Sequence, residues 1–401
     1  MQQVRLGDQI LNEIFAQVGG NAISDIQLRS HRLPYVHTKK GLEIVNSMGA
    51  LPPEAVLEVI DTLYSRQEAE SFESATAQLQ AQMPLMERLQ EFKVVDFASE
   101  GVTFPDGTLS GRMRVQAHLS SSGLGVTARL LSDSIPDLGG LGLSEDTIRA
   151  LHGFIVKRQG LGLVTGQTGS GKSTTLAALL NWLRCNQKRH IVTVEDPIEY
   201  RYPHDMVDPA TGRRVPSPGF MTQQEVGKHV ENYNQGLKDA LRKAPHVILI
   251  GEIRDHVTME TAIEAAQTGH IVISTLHTNG AVKTMSRILD FFPRDSHQSI
   301  LARVSDVLLF VLSQGLITGI NGRVLNYEFL QNNSTAVRSG IAAYGSGTKA
   351  LEDVIRHAGN VQWDANLRNL VRRGLITEQT FQMNRMADGE DESTLFIKTA
   401  V

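Results

Sequence analysis

The sequence is poor in cysteine, in long apolar runs and in excess positive charge. Cys185 is its only cysteine. An internal disulfide and a zinc site built on cysteines are therefore excluded, and a reducing, cytoplasmic setting is the simplest expectation. The strongest apolar run, Val307-Leu308-Leu309-Phe310-Val311-Leu312, is far too short to cross a bilayer, which takes about 20 residues. The opening residues Met1-Gln2-Gln3-Val4-Arg5-Leu6-Gly7-Asp8 lack the apolar core of a signal peptide. Any tie to a membrane is expected to run through a partner. The formal net charge is −4, which argues against a protein that coats nucleic acid; a local basic pore stays open.

What is present points first to Gly166-Gln167-Thr168-Gly169-Ser170-Gly171-Lys172-Ser173. This stretch fits G-x-x-x-x-G-K-[ST]. Before it, Leu161 to Thr165 reads as a buried strand; after it, Ser173 to Leu183 reads as a helix. Strand, glycine-rich turn and helix are the context that a phosphate-binding loop requires. The glycines let successive N–H groups converge on one anion, and the helix N-terminus adds partial positive charge. Lys172 is expected to reach the β- and γ-phosphates of ATP, and Ser173 to hold Mg²⁺.

With 401 residues, 41% of them apolar, the chain can hold two or three domains with a sizeable core. Leu6, Ile10, Leu11, Ile14, Phe15 and Val18 recur at helical spacing up to Gly19-Gly20. Ser24 to Arg29 and His37 to Val45 alternate like strands with one wet face, and Pro52-Pro53 suits a helix start. Residues 66–92 read as an amphipathic helix interrupted by Pro84, with Leu79, Met83, Met86, Leu89 and Phe92 on its apolar side. Strands are expected at Val94 to Phe97, Gly111 to Ala117 and Gly125 to Leu131. Residues 1–132 thus form an α+β domain with an antiparallel sheet. Residues 133–144, with Pro136, Gly139, Gly140 and Gly142, read as a hinge.

From 145 to 335 strands and helices alternate, which implies a parallel sheet covered by helices. Strands are expected at Leu161 to Thr165, His190 to Val194, Val247 to Ile250, His270 to Thr275, Val307 to Leu312 and Val324 to Phe329. Residues 336–401 turn helical and polar and end near the acidic segment Asp388 to Glu392.

Ligands of such sheets bind beyond the carboxyl ends of the strands. After His190 to Val194 come Glu195 and Asp196, placed to polarise an attacking water; a turn opened by Asp196-Pro197 is the alternative. After Val247 to Ile250 come Gly251 and Glu252. An acid at the end of an apolar strand is Walker B logic, although many P-loop enzymes have Asp where Gly251 stands. A third strand end carries His277, either a γ-phosphate sensor or a structural hydrogen-bonder.

Together these pieces resemble the type II/type IV secretion ATPases. Gly166 to Ser173, continuing into Thr174-Thr175, is similar to the family's Walker A. Val192 to Tyr200 is similar to its Asp box, Val247 to Asp255 to its Walker B, and Gly269 to Asn279 to its His box. Ile23 to Leu28 resembles the start of its PAS-like N-domain, and Gly111 to Val115 with Ala128-Arg129-Leu130 its arginine-bearing strands. The resemblance implies a PAS-like α+β domain followed by a RecA-like P-loop ATPase domain. It implies Glu195 as catalytic glutamate, Glu252 acting on Mg²⁺ or its water, and His277 linking nucleotide state to a subunit interface. Arg112, Arg114 and Arg129 would lie near the nucleotide or reach a neighbour's site; solvated strand faces are the alternative.

Length and the single cysteine place the chain nearer the compact PilT-like branch. A longer loop, Met206 to Pro218, departs from that branch. So does Ala336-Val337-Arg338-Ser339-Gly340, where retraction ATPases carry Ala-Ile-Arg-Asn-Leu. Both are more similar to DotB- and TraJ-like ATPases of type IVB secretion and conjugation. The implied protein is a cytoplasmic homohexamer that hydrolyses ATP with Mg²⁺ and works on inner-membrane secretion-complex proteins. A pilus retraction motor, a P-loop kinase, a RecA-like DNA translocase and a nucleotide-dependent scaffold are the rival readings.

Overall fold

The computed structural model describes residues 5–18, 23–38, 41–66, 85–99, 112–131, 134–345, 351 and 360–386. Gly19-Gly20, the stretch 67–84 with Leu79, Met83 and Pro84, Gly111, residue 132, residue 133 of the hinge and the acidic segment 388–392 lie outside the described residues. The chain divides into two compact units, residues 1–134 with 199–201 and residues 135–198 with 202–401.

The first unit is built on an antiparallel sheet. Its strands are β1 (Ile23–Arg29), β2 (Tyr35–Thr38), β3 (Gly41–Ile44), β4 (Val94–Ser99), β5 (Met113–Ser120) and β6 (Gly123–Leu130), in the order β3-β2-β1-β6-β5-β4. Alternation sorts the faces: Met113, Val115 and Ala117 of β5 are buried, while Arg114 and Gln116 point outward. The buried face forms one core with Leu11, Ile14 and Phe15 of the helix Leu6–Val18 and Val56, Val59, Ile60 and Leu63 of the helix Pro53–Tyr64. Pro53 is the first residue of the second helix, where its missing N–H costs no intrahelical bond. The helix expected over 66–92 is described only for Leu85–Phe92.

In the second unit, β7 (Gly160–Thr165), β8 (His190–Glu195), β11 (Phe220–Glu225), β12 (Val247–Ile250), β13 (Ile271–Leu276), β14 (Leu308–Gly319) and β15 (Gly322–Gln331) form one sheet. Its order is β11-β8-β12-β13-β7-β14-β15, parallel except for β15. Both faces are covered. Leu161, Leu163, Ile248, Ile250 and Val272 pack against the helices Tyr233–Leu241, His256–Gln267, Ala281–Leu289 and His297–Val307. Val164, Leu249, Ile271, Ile273, Phe310 and Leu312 pack on the other face with Leu151, Phe154, Leu176, Leu179 and Leu183, from the helices Glu145–Ile155 and Lys172–Asn186. Double burial is why these strands read as unbroken apolar runs.

Three segments differ from the sequence expectation. The run at Val324 to Phe329 belongs to β15, which is antiparallel to β14: Gly319 pairs with Gly322 around Ile320-Asn321, and two residues cannot make a parallel crossover. The 206–218 loop carries a short antiparallel hairpin, β9 (Asp205–Val207) and β10 (Arg214–Pro216). The edge strand β11, Phe-Met-Thr-Gln-Gln-Glu, has no apolar run to announce it, because most of its side chains are only half-buried and several are polar and bond to β8. The helices Thr335–Ala342, Trp363–Arg372 and Glu378–Asn384 match the expected helical character after 335.

Arg184 anchors the approach to the hairpin. Its side chain is buried, and its Nη1 donates to the carbonyls of Pro203 at 2.6 Å and Asp205 at 3.4 Å. Arg184→Leu leaves both carbonyls without that donor. Trypsin is then expected to cut after Arg213 or Arg214 several-fold faster than in the unmodified protein, with the circular dichroism spectrum unchanged.

Candidate active site

Six parallel strands deliver their carboxyl ends to one edge of the second unit's sheet. Register fixes this: Thr165 of β7 lies opposite Leu276 of β13 and Ser313 of β14, and Ile250 of β12 lies opposite Ser274 and Val194. The phosphate loop, His277, Gly251-Glu252 and Glu195 therefore leave the sheet at the same side. The strand of His277 adjoins the loop strand, that of Glu252 is two places away and that of Glu195 three. At about 4.8 Å per strand, the three groups stand at graded distances from the loop.

The loop has the backbone its glycines were expected to allow. Gly166, Gly169 and Gly171 take φ of 143°, 77° and 87°, values in which an L side chain is strained. Gln167, Thr168 and Gly169 form an exposed tip, while Ser170 is buried. Lys172 opens the helix Lys172–Asn186; its Nζ donates to the carbonyls of Gly166 at 2.8 Å and Gln167 at 3.0 Å. Ser173 and Thr174 follow in the first helical turn, half-buried. The ammonium, the helix N-terminus and the curled backbone together make a seat for an anion.

Glu252 and His277, from two different strand ends, are in contact. Glu252 Oε1 lies 3.3 Å from His277 Nε2, and Glu252 Oε2 accepts from Arg254 Nε at 2.8 Å. Gly251 explains the departure from Asp at this place. A Cβ there would stand 3.1 Å from the Tyr233 hydroxyl and 3.3 Å from the Val194 carbonyl, so no side chain fits without displacement. The acid moves one residue on. Asp255, the last acid of the motif, caps the helix His256–Gln267 by accepting from Thr258 N at 2.8 Å.

Glu195 is half-buried at the end of β8 and accepts from Thr193 Oγ1 at 2.7 Å and Gln223 Nε2 at 3.2 Å. Asp196 is exposed. Near these acids lies Tyr233, its hydroxyl 3.1 Å from the place of a Cβ on Gly251. Burial, then the negative charge of Asp196, push its phenol well above the usual range; Arg254 opposes them. The hydroxyl stays protonated and offers a neutral donor beside three carboxylates.

The loop that carries His277 is held from β14 and β15. Ser313 Oγ accepts from Gly280 N at 2.7 Å, and Glu328 Oε1 accepts from Ala281 N at 2.6 Å. Burial pushes the Glu328 carboxyl up, against the pull of that N–H.

Arg112, Arg114 and Arg129 belong to the first unit. Arg112 is buried just before β5. Arg114 and Arg129 lie directly opposite each other on the outer face, and Arg129 Nε donates to Asp25 Oδ1 at 2.7 Å. Asp25 offsets the repulsion expected of facing like charges.

Sequence reading missed Gln223, Tyr233 and Gln314. Gln314 stands just past an apolar strand run, the same signal that marked His277. Gln223 and Tyr233 carried no signal, since one lies on the unannounced edge strand and the other in the first turn of a helix.

Comparison with known proteins bears on this arrangement. The family model "Type II/IV secretion system protein" matches residues 102–379. The chain belongs to this family. Among its relatives, an uncharacterized protein of Escherichia coli, YggR, is 36% identical over 279 residues, 69% of this chain and 76% of that one. The type IV pilus retraction ATPase PilT of Pseudomonas aeruginosa is 35% identical over 296 residues, 72% of this chain and 78% of that one. The crystal structure of the pilus retraction motor PilT with bound ADP matches at a TM-score of 0.76 and 30% identity, covering 97% of this chain and 99% of that chain. The Legionella pneumophila ATPase DotB shares the fold, with a TM-score of 0.74 at 24% identity over 96% of this chain and 97% of that chain. Among the described residues no helix is long and apolar enough to cross a membrane.

The loop geometry yields a direct test. A Cβ on Gly166 would lie 2.1 Å from the Gln314 carbonyl oxygen and 2.6 Å from Ser170 Oγ. Gly166→Ala must therefore displace the loop. Its affinity for MgADP, measured by calorimetry, is expected to fall at least tenfold.

Proposed function

We propose that the protein hydrolyses ATP and uses the energy to drive a type IVB secretion or conjugative transfer apparatus. One observation carries the enzymatic part. A phosphate loop, a strand-end carboxylate and a histidine bonded to that carboxylate share one sheet edge in a secretion-family chain. The type IVB part is supported by the hairpin-bearing 205–216 insertion and by Ala336 to Gly340.

In this reading the second unit is a RecA-like ATPase domain and the first a PAS-like domain, joined by the hinge 133–144. The ring is a cytoplasmic homohexamer bound to inner-membrane secretion proteins. Gly166 to Thr174 bind the nucleotide phosphates. Oxygen donors alone suit Mg²⁺: Ser173 would hold it directly. Glu252, with one oxygen on Arg254 and the other on His277, would act through water. Magnesium bound there would neutralise charge on the phosphates. Glu195 is the general base that takes a proton from the attacking water; Thr193 and Gln223 fix its carboxylate. Arg112, Arg114 and Arg129 contribute positive charge near the nucleotide or at a neighbouring subunit's site. Hydrolysis releases contacts to the γ-phosphate and so changes the relation between the domains.

A pilus retraction motor is the second reading. It is favoured by the likeness to PilT, at higher identity than the likeness to DotB.

Glu195→Gln is expected to bind ATP as tightly as the unmodified protein and to turn it over roughly a hundredfold more slowly or worse, the scale of a lost general base. Normal turnover in that variant would overturn the assignment. Separately, Mg-ATP turnover per subunit, followed with mass across a dilution series, is expected to fall as the ring dissociates. Turnover that stays flat down to the monomer would show a site that needs no neighbour.

A further inference from the structure

We propose that Gln314 is a positioning residue that clamps the phosphate loop in its anion-binding shape. The proposal rests on the nucleotide-binding reading above and adds a residue outside the loop to it.

Gln314 lies on β14, which adjoins the loop strand β7, one residue beyond the last paired position, Thr165 with Ser313. It is 2% exposed. It meets the loop at three points. Its backbone carbonyl oxygen sits 2.1 Å from the place of a Cβ on Gly166, so the main chains touch where the loop begins. Its Nε2 donates to the Ser170 carbonyl at 2.8 Å. The same nitrogen is 3.3 Å from the place of a Cβ on Gly171, where the helix begins. The clamp thus spans the turn from its first glycine to its last.

The Ser170 bond has a consequence for the anion seat. In a planar trans peptide the C=O and the following N–H point in opposite directions. Gln314 holds the Ser170 carbonyl to its own side. The Gly171 N–H is thereby turned away from β14, toward the concave side of the loop, where an anion is bound. Fixing one carbonyl sets one donor.

The amide is kept at a cost that favours this role. Gln314 Oε1 is buried and has no hydrogen-bond partner among the described residues. Methionine has nearly the same length and would remove the orphaned Oε1, while leaving the Ser170 carbonyl without its side-chain donor. What methionine lacks is the donor to Ser170. The neighbouring backbone is fixed independently: a Cβ on Gly315 would stand 2.9 Å from the Trp363 ring, and Trp363 Nε1 donates to Asn384 O at 2.8 Å. A change of the side chain at 314 therefore leaves the path of β14 in place.

The test compares Gln314→Met and Gln314→Glu with the unmodified full-length protein. Three quantities are measured: MgADP affinity, KM and kcat for Mg-ATP, and Tm with and without saturating MgADP. In Gln314→Met, Tm without nucleotide is expected to change little, since the orphaned Oε1 is removed as the bond to Ser170 is lost. MgADP affinity falls about tenfold, KM rises by a similar factor, and kcat changes less than threefold. A role in packing alone would lower Tm in the absence of nucleotide and would not separate KM from kcat. If Gln314→Met does not fold, the isosteric Gln314→Glu, which replaces the donor with a carboxylate oxygen, decides with the same affinity readout. MgADP affinity within twofold of the unmodified protein in either folded variant overturns the clamp and leaves the nucleotide-binding reading standing. An unmodified protein that binds no nucleotide overturns both.

Discussion

The site depends on the main-chain ladder that keeps parallel strands in step. The side chains that would meet a nucleotide come from segments more than a hundred residues apart, from Lys172 to His277. Outside the phosphate loop itself, they are supplied by separate strand ends. They converge because Thr165, Leu276 and Ser313 sit level across three strands, and Ile250 and Val194 across two more. A parallel ladder with evenly spaced bonds tolerates little slippage when both faces are buried. The apolar runs that bury those faces therefore serve geometry at the edge as much as stability at the centre.

Much of this was legible in the sequence because the strongest signals are those of doubly buried strands. Val247 to Ile250 reads as a strand and is one, and its carboxyl end carries an acid, as the pattern requires. The phosphate loop was legible because three glycines and a lysine at fixed spacing have few other uses. Local chemistry was less legible. That Gly251 sits closely against Tyr233 and Val194 follows only from packing. The contact between Glu252 and His277 joins two motifs that the sequence presents separately. The edge strand β11 was invisible for a physical reason: its faces are only half covered, so no apolar run is compulsory. The turn at Ile320-Asn321 reversed the last strand for want of room, which a reading of runs alone does not detect.

The first unit shows the same logic in antiparallel form. Strict alternation along β5 sends Met113, Val115 and Ala117 inward and presents Arg114 to the outer face. Cross-strand register then sets Arg114 against Arg129 and Arg129 against Asp25. Two guanidinium groups and one carboxylate leave one unbalanced positive charge in that cross-strand row. Such a surplus suits an anionic neighbour, consistent with the role proposed for these arginines.

The edge hairpin of β14 and β15 carries two adjacent residues with opposite duties. Ser313 holds the start of the helix that follows His277, on one face of the sheet, and Gln314 holds the phosphate loop. Glu328, the cross-strand partner of Ser313, seconds it at Ala281. A slip of β14 by a single residue would exchange these two side chains between the faces. The halves of the site would then each receive the other's fastener. A hairpin at the margin of the sheet, with no catalytic group of its own, is in this sense the jig in which the site is assembled. Its sequence is constrained in phase, position by position, by parts of the molecule it never joins by hydrogen-bonded pairing.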